Sequence, residues 1–237
     1  MDVHSISTHC TRTEFVGTAV LDTIGLMISG IDDTLLMELK LGTKYHALGL
    51  ISSRTGAAGQ ITAIDDAVKA TNTEVLSIEL PRDTKGWGGH GSYIVLGGAD
   101  TSDVRHAVEL ALELTNKYAG ELYISQAGHL EFAYSASAGP ALQKAFGAAP
   151  LEACGFMAGS PAAIGLVMAD TEMKASAVKI IRYMTPDIGT SHSNEVILAV
   201  SGDAGAVKEA VLEARRIGLE LLIAMGSYPE IPGTPYL

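Results

Sequence analysis

Cysteine is scarce in this chain of 237 residues, which contains only Cys10 and Cys154. The two residues lie far apart, and neither belongs to a CxxC or CxxH spacing. This scarcity argues against a disulfide framework and against a cysteine-based zinc cluster. Cys154 stands within the apolar run ACGFM, so we expect it to be a small buried side chain. We expect neither a metal nor a cofactor.

Long apolar runs and positive charge are also in short supply. No apolar run reaches the roughly 18 to 20 residues that a bilayer span needs, and the N-terminal MDVHSISTHCTRTEF lacks the charged-then-apolar order of a signal peptide. Sixteen basic residues stand against 27 acidic ones, which gives a net charge of −11. Such a charge repels nucleic acid and anionic membranes. We therefore expect a cytoplasmic protein without a nucleic-acid or membrane partner.

Apolar residues, in contrast, are plentiful at 47% of the chain, while charged residues make up 18%. This composition indicates a folded protein rather than a disordered one. The mean hydropathy of +0.25 is high for a protein whose whole surface faces water. Part of the apolar surface is therefore expected to contact other subunits. Aromatic residues amount to only 5% and are dispersed, which argues against a stacking platform for bases.

The chain contains an internal repeat at an offset of 103 to 106 residues. Because a period of this size exceeds that of solenoid repeats, each copy is predicted to be a domain. The predicted limits are a short N-terminal segment at 1–13, domains at 14–126 and 127–228, and a tail at 229–237. Residues that recur in register include Gly42 with Gly147, Gly49 with Gly155, Asp65 with Asp170, Lys69 with Lys174, Pro81 with Pro186 and Gly98 with Gly202.

The hydrophobic pattern of the first copy predicts the order strand, helix, strand, loop, strand, helix, strand. The strand-like runs are YHALGLI, TEVLSIEL, SYIVLGG and ELYIS, and the helical stripes lie in GQITAIDDAVKATN and SDVRHAVELALELTNKY. Two strands joined directly by a loop pair antiparallel, and the two helices then cover one face of the sheet. Each copy is thus predicted to be a ferredoxin-like α/β (α+β) sandwich. An additional strand and short helix precede it, at about 17–41 and 130–146.

Four stretches resemble a known family: KATNTEVLSIELPRDTKGWGGHGSYIVLGG, DTIGLMISGIDDTLL, AGHLEF and SGDAGAVKEAV. They are similar to the tandem-domain shell proteins of bacterial microcompartments, of the type typified by the B shell proteins of propanediol- and ethanol-utilization compartments. The resemblance covers nearly the whole chain from about Glu14. It implies two circularly permuted microcompartment domains and a flat trimer that mimics a hexamer. It also implies a structural role, in which the trimer tiles a shell with other shell proteins.

The resemblance further implies that the loop between the two adjacent strands of each copy points toward the symmetry axis. Glycine suits such a place because the backbone can crowd an axis and take positive φ. These loops would surround an opening for a small polar metabolite, such as a diol or an alcohol. The pore-lining residues expected from them are Asp83, Lys85, Gly86, Trp87, Gly88, Gly89 and His90 in the first copy and Thr190, Ser191, His192 and Ser193 in the second.

Other interpretations of these loops stay open at the level of sequence. The glycines can simply serve a surface turn. A phosphate cradle is disfavoured because no GxxxxGK[ST] motif is present and the glycines precede a strand. His90 and His192 occupy the same loop of the two copies, but no carboxylate or cysteine stands at a ligand spacing, and no nucleophile elbow surrounds SHSN. A structural role is the default for His46, His106 and His129.

Lys69 and Lys174 match the edge lysine of the family, which lies along the neighbouring tile. The resemblance thus implies a tile-edge interface at Lys69, Asn72 and Lys174, where a long stem can pack flat while its ammonium reaches carbonyls. The alternative is a solvated helix lysine paired with a nearby aspartate. A competing function for the whole chain is a small-molecule-binding regulator or enzyme on duplicated ferredoxin-like domains, with Asp83 or His90 in its site.

Overall fold

The chain folds into two five-stranded antiparallel sheets, each with its own helices. The structure is a computed structural model and describes residues 13–41, 44–82 and 90–237. The first half contains β1 (Thr13–Ala19), β2 (Thr23–Ser29), α1 (Asp33–Glu38), β3 (Ala47–Ser53), α2 (Ala58–Lys69), β4 (Glu74–Glu79), β5 (Ser92–Gly98) and α3 (Thr101–Tyr118). The second half contains β6 (Leu122–Ser125), β7 (Gly128–Ser135), α4 (Pro140–Phe146), β8 (Ala153–Ser160), α5 (Ala162–Ala175), β9 (Lys179–Met184), β10 (Val196–Gly202) and α6 (Ala204–Ala224).

The two sheets have the same strand order, which is β1-β2-β3-β5-β4 in the first and β6-β7-β8-β10-β9 in the second. A glycine in the central strand of each sheet lets a helix approach closely. An added Cβ on Gly49 would meet Val104 and Val108 of α3, and one on Gly155 would meet Val207 and Val211 of α6. The predicted repeat and the predicted antiparallel sandwich are therefore confirmed.

One strand belongs to a different sheet from the one predicted. The run ELYIS was expected to complete the first copy, but β6 pairs with β7 through the short turn at Gln126 and Ala127. In an unpermuted ferredoxin-like sheet, the strand after the second helix would lie beside β3. That position is already taken by β2, which hydrogen-bonds to β3 from the N-terminal side. The circular permutation therefore leaves β6 to open the second sheet.

The short helices α1 and α4 lie on the sheet faces that the long helices leave open. In α1, Leu36 packs with Leu48 and Val95, whose side chains point away from α3. In α4, Phe146 lies against Phe156 of β8, with ring centroids 4.9 Å apart. Gly147 ends α4 in the left-handed region at φ 79°, a conformation that glycine adopts without strain. Both faces of each sheet are thus at least partly covered.

The two halves of the chain meet along a contact that we call the seam, formed by α2 and β4 of the first half and β7 and α4 of the second. Its centre is apolar, because Leu142 and Phe146 of α4 share one buried cluster with Ile61 and Ile64 of α2. Val75 and Ile78 of β4 pack against the same cluster. Burial of this apolar area is the main contribution to the free energy that holds the halves together.

Each half also caps a helix of the other across the seam. The buried carboxylate of Asp65 accepts hydrogen bonds from the backbone N–H groups of Gly139, Ala141 and Leu142, at 2.9 to 3.1 Å. These groups form the N-terminus of α4, whose cap position is a glycine without a side-chain acceptor. A cap of this kind stabilises a helix by about 1 kcal/mol. Here it also fixes the relative position of the halves.

Candidate functional site

A buried carboxylate lies between two histidines at the seam. Glu195, just before β10, contacts His90 Nδ1 through one oxygen and accepts at 3.0 Å from His129 Nε2 through the other. His90 enters from the loop before β5 of the first half, whereas His129 and Glu195 belong to the second. All three side chains are less than a tenth exposed. The contact between Glu195 and His90 therefore joins the two halves, while the charge-assisted hydrogen bond from His129 holds Glu195 within the second half.

The electrostatics of Glu195 follow from this arrangement. Burial alone would raise the pKa of its carboxyl, but the hydrogen bonds from His129 and His90 outweigh burial and lower the pKa to about 2. Glu195 is therefore an anion at neutral pH.

Glu131 of β7 lies in the same region and acts on the first half. Its Oε1 accepts from the N–H groups of Ala57 and Ala58 at 3.0 and 2.9 Å. Ala57 is the cap residue of α2 and offers no acceptor of its own, so Glu131 supplies the cap from the other half. Burial raises the pKa of Glu131, and the two backbone donors and His129 partly offset that effect. The N-terminal dipole of α2 favours the anion at this position.

These side chains surround a cavity of about 20 Å³, whose wall also includes Gly56 and Phe156. That volume holds about one water molecule. Within the described ranges, His90 Nε2 and His129 Nδ1 have no protein hydrogen-bond partner. A polar cavity with unpaired nitrogens is a place where a small hydroxyl-bearing molecule or a water can bind.

The histidines do not converge as metal ligands. Across residues 13–41, 44–82 and 90–237, no three His, Cys, Asp or Glu side chains take an arrangement that could hold a metal ion. The physical reason is that His90 and His129 bind opposite oxygens of one carboxylate. Along the same ranges, no helix has the length and apolar character of a membrane span.

The described part of the chain includes only some of the residues predicted to line a pore. Asp83, Lys85, Gly86, Trp87, Gly88 and Gly89 lie outside the described residues. His90 is described, and its side chain turns into the seam cavity.

In the second loop, Ser191 and His192 are exposed and have positive φ angles of 50° and 62°. Thr190 and Ser193 are fully buried, and the Thr190 hydroxyl donates to the carbonyl of Thr185 at 2.8 Å. The chain uses Thr190 and Ser193 to shape the turn, so we no longer expect them to face a solute. A pore-lining role for Ser191 and His192 stays a prediction.

The three residues predicted at a tile edge occupy different environments. The ammonium of Lys69 lies at the seam, 2.7 Å from the carbonyl of Ser137 and 2.8 Å from Asp65. Asn72 is exposed. Lys174 is exposed and pairs with Asp170 at 2.6 Å. The tile-edge role of all three stays a prediction, and a contact inside the chain already occupies Lys69.

Sequence reasoning missed Glu131 and Glu195 and gave His129 only a structural role. The available signal was a carboxylate within an otherwise apolar strand, as in AGHLEFAY, and another immediately before the apolar run VILAV. A charged residue in such a position is rarely buried without a partner. The partner of each, however, comes from a distant part of the sequence, and periodicity does not reveal it.

Comparison with known proteins identifies this fold. The BMC domain family matches residues 47–127 and 153–230, once in each half. The chain therefore belongs to the BMC-domain family, whose tandem members are shell proteins of bacterial microcompartments. The predicted family, tandem organisation and shell role are confirmed.

Individual shell proteins match nearly the whole chain. The chain is 51% identical over 228 residues to the bacterial microcompartment shell protein PduB of Citrobacter freundii, covering 96% of this chain and 84% of that protein. The crystal structure of EtuB from Clostridium kluyveri matches with a TM-score of 0.92 at 48% identity, covering 94% of this chain and 98% of the other. A trimeric shell protein PduB matches with a TM-score of 0.91 at 42% identity, covering 94% and 99%.

Proposed function

We propose that three copies of this chain form a flat tile of a microcompartment shell in the cytoplasm, and that the tile passes a small polar metabolite without transforming it. The trimer is supported by the similarity to a trimeric shell protein over nearly the full length of both chains. A non-catalytic role is supported by the relatives, which are shell proteins.

The observation that best supports the passage of a metabolite is the polar cavity at the seam. Glu195, His90 and His129 place an anion and unpaired imidazole nitrogens at the contact between two domains. Selectivity in a protein pore arises from its width and from the donors and acceptors along it. A diol or alcohol can exchange hydrogen bonds with these groups, whereas an aldehyde without a hydroxyl offers only an acceptor. Because the cavity is the size of one water molecule, passage requires the seam to widen.

The test is permeation into shells assembled from this chain together with other shell proteins, with an encapsulated alcohol dehydrogenase as reporter. Glu195→Gln keeps the side-chain volume and removes the charge. We expect entry of a diol or alcohol to slow by about tenfold, since a hydrogen bond to a charged group contributes about 1.5 kcal/mol. Glu209→Gln, an exposed change on α6, is the matched control and should leave entry unchanged.

Three results would contradict the proposal in different ways. Equal permeability of the Glu195→Gln and wild-type shells would exclude the seam as the route and leave the loops at Ser191 and His192. Failure of the wild-type chain to enter shells would exclude the tile itself. Turnover of a small molecule by the isolated chain, abolished by His90→Ala, would favour the enzyme alternative.

A further inference from the structure

A second and larger depression lies beside the seam cavity, on the outer side of β6. It is a surface groove of about 500 Å³ between the turn that joins β6 to β7 and the residues that follow α6. A groove of this size can hold a small hydroxyl-bearing molecule together with water. Its lining is mainly polar and includes Ile124, Ser125, Gln126, Ser227, Tyr228 and Glu230.

Ile124 is the residue that the groove and the seam cavity share. It lines the cavity of about 20 Å³ beside Glu195, and it also lines the groove. Leu122, which lies two residues earlier and therefore on the same side of the strand, lines the cavity as well. At this point one half-buried residue, Ile124, stands between a buried polar cavity and a groove at the surface.

The strand that carries Ile124 is short and lies at the edge of its sheet. β6 has four residues, and within the sheet it pairs only with β7. On its other side, the backbone of Ile124 exchanges two hydrogen bonds with Glu230 of the tail (229–237), at 2.7 and 2.9 Å. Because a short edge strand with few hydrogen bonds opens more readily than a central one, these two bonds help to hold the cavity wall in place.

A buried carboxylate fastens the tail a second time. Glu121, directly before β6, is fully buried, and its Oε1 accepts from the backbone N–H groups of Tyr236 and Leu237 at 2.7 and 2.9 Å. Its Oε2 accepts from Arg215 at 2.9 Å and from the Tyr123 hydroxyl at 3.2 Å. Hydrogen bonds to an ionised acceptor are about twice as strong as neutral ones. The tail is therefore attached at both ends of the short strand that forms the wall.

We propose that the tail is a latch on the seam cavity. While the tail holds β6, Ile124 closes the cavity toward the groove, and release of the tail opens that route. This inference rests on the proposed passage of a metabolite and adds its entrance and the segment that controls it. A solute of the diol or alcohol class would first exchange hydrogen bonds with the polar groups of Gln126, Ser227 and Glu230, and would reach Glu195 once Ile124 moves aside.

The position of Ile124 in the core favours this route. Ile124 is not part of the buried apolar cluster that holds the halves together. Displacement of β6 therefore widens the seam at the cavity without separating its apolar centre. An apolar side chain between two polar compartments also blocks a continuous file of water while the route is closed.

The first experiment changes the size of residue 124 in the shell assay with the encapsulated alcohol dehydrogenase. Entry of a diol should rise by at least about threefold in Ile124→Ala, rise less in Ile124→Val and fall in Ile124→Phe, because the residue at a constriction sets its width. Ile223→Ala on α6 is the matched control, since Ile223 is 42% exposed and belongs to neither lining. Circular dichroism checks the fold, and Ile124→Val serves as the test if Ile124→Ala does not fold.

The second experiment releases the tail. Tyr236→Pro removes one of the two N–H groups that Glu121 accepts, together with the ring that packs on Tyr118, and should also raise entry by at least about threefold. Pro235→Ala is the control, because Pro235 is exposed and the change keeps both donors. Entry of a disaccharide, measured in parallel, reports shells that are simply leaky and should stay at the wild-type level.

The outcomes separate this inference from the proposed function. If the Ile124 and Tyr236 variants match wild type while Glu195→Gln slows entry, the latch is refuted and the seam remains the route. If Glu195→Gln has no effect either, the proposed passage fails and this inference fails with it. A disaccharide that enters together with the diol would show a damaged shell rather than an opened entrance, and would also overturn the latch.

Discussion

At the scale of single residues, the carboxyl of Glu172 on α5 is an ionisable group inside the fold. It is fully buried, and neither oxygen has a hydrogen-bond partner within the described part of the chain. Burial raises its pKa to about 8. The equivalent residue in the first half is Ala67, which packs in the apolar core. Glu172 is therefore neutral in the folded protein at pH 7.

This leads to a pH-dependent prediction for Glu172→Gln. The unfolded carboxyl ionises above about pH 4.5, whereas the folded one stays neutral up to about pH 8, so wild-type stability falls as pH rises between these values. The variant lacks this loss and should be more stable than wild type by about 1 to 3 kcal/mol at pH 8 and nearly equal at pH 4.5. Urea unfolding at both pH values measures the difference.

The control is Glu113→Gln, an exposed change on α3 that should not alter the pH dependence. A Glu172→Gln variant that gains nothing between pH 4.5 and 8 would show that Glu172 is ionised in the fold.

Residue type and periodicity could predict the apolar core but not these buried charges. The apolar stripe of Ile61, Ile64 and Val68 could be predicted from the sequence, because helical spacing alone determines it. The pairing of Glu195 with His90 and His129 could not be predicted, because it depends on a contact between positions more than 60 residues apart. The carboxylate of Glu131 was similarly hidden, since its partner is the backbone of a helix in the other half.

At the scale of elements, the C-terminal tail acts as a strap over both halves. Glu230 pairs with Ile124 of β6 through two backbone hydrogen bonds. Further on, the N–H groups of Tyr236 and Leu237 donate to buried Glu121 at 2.7 and 2.9 Å. The ring of Tyr236 packs edge-on against Tyr118 of α3. The tail thus links α3 of the first half to β6 of the second.

Gly120→Ala tests this strap. An added Cβ at Gly120 would overlap the carbonyl of Thr234, which is backbone and cannot turn aside. We expect the tail to detach, with a loss of about 1 to 3 kcal/mol in the free energy of unfolding and faster release of the last residues by carboxypeptidase.

Gly205→Ala in the first turn of α6 is the control, where only a side-chain oxygen of Asp203 lies nearby. That change should alter stability by less than about 1 kcal/mol. A Gly120→Ala protein as stable and as resistant as wild type would mean that the tail is not held at this point.

The positions of most elements were predictable, but one pairing was not. Strand β5 was predicted at its observed residues, and α2 and α3 within one to three residues, because their patterns are long and regular. The run ELYIS was recognised as a strand but assigned to the wrong sheet. A strand's own pattern does not specify its neighbour, and here the permutation decides it.

At the scale of the whole molecule, the two halves share one fold but differ in chemistry at equivalent positions. Glu195 and Glu131 of the second half add buried carboxylates to a seam whose centre is apolar. At the equivalent positions of the first half stand Gly91 and Ile24, as strand pairing shows. The proposed trimer would therefore carry three such polar clusters, one inside each chain.

The central claim is that the duplicated module closes into a ring of three chains. Sedimentation equilibrium of the purified wild-type protein over a hundredfold range of concentration tests it most directly. We predict a single species with three times the chain mass of 24.7 kDa. A mass of one or two chains throughout that range would contradict the account.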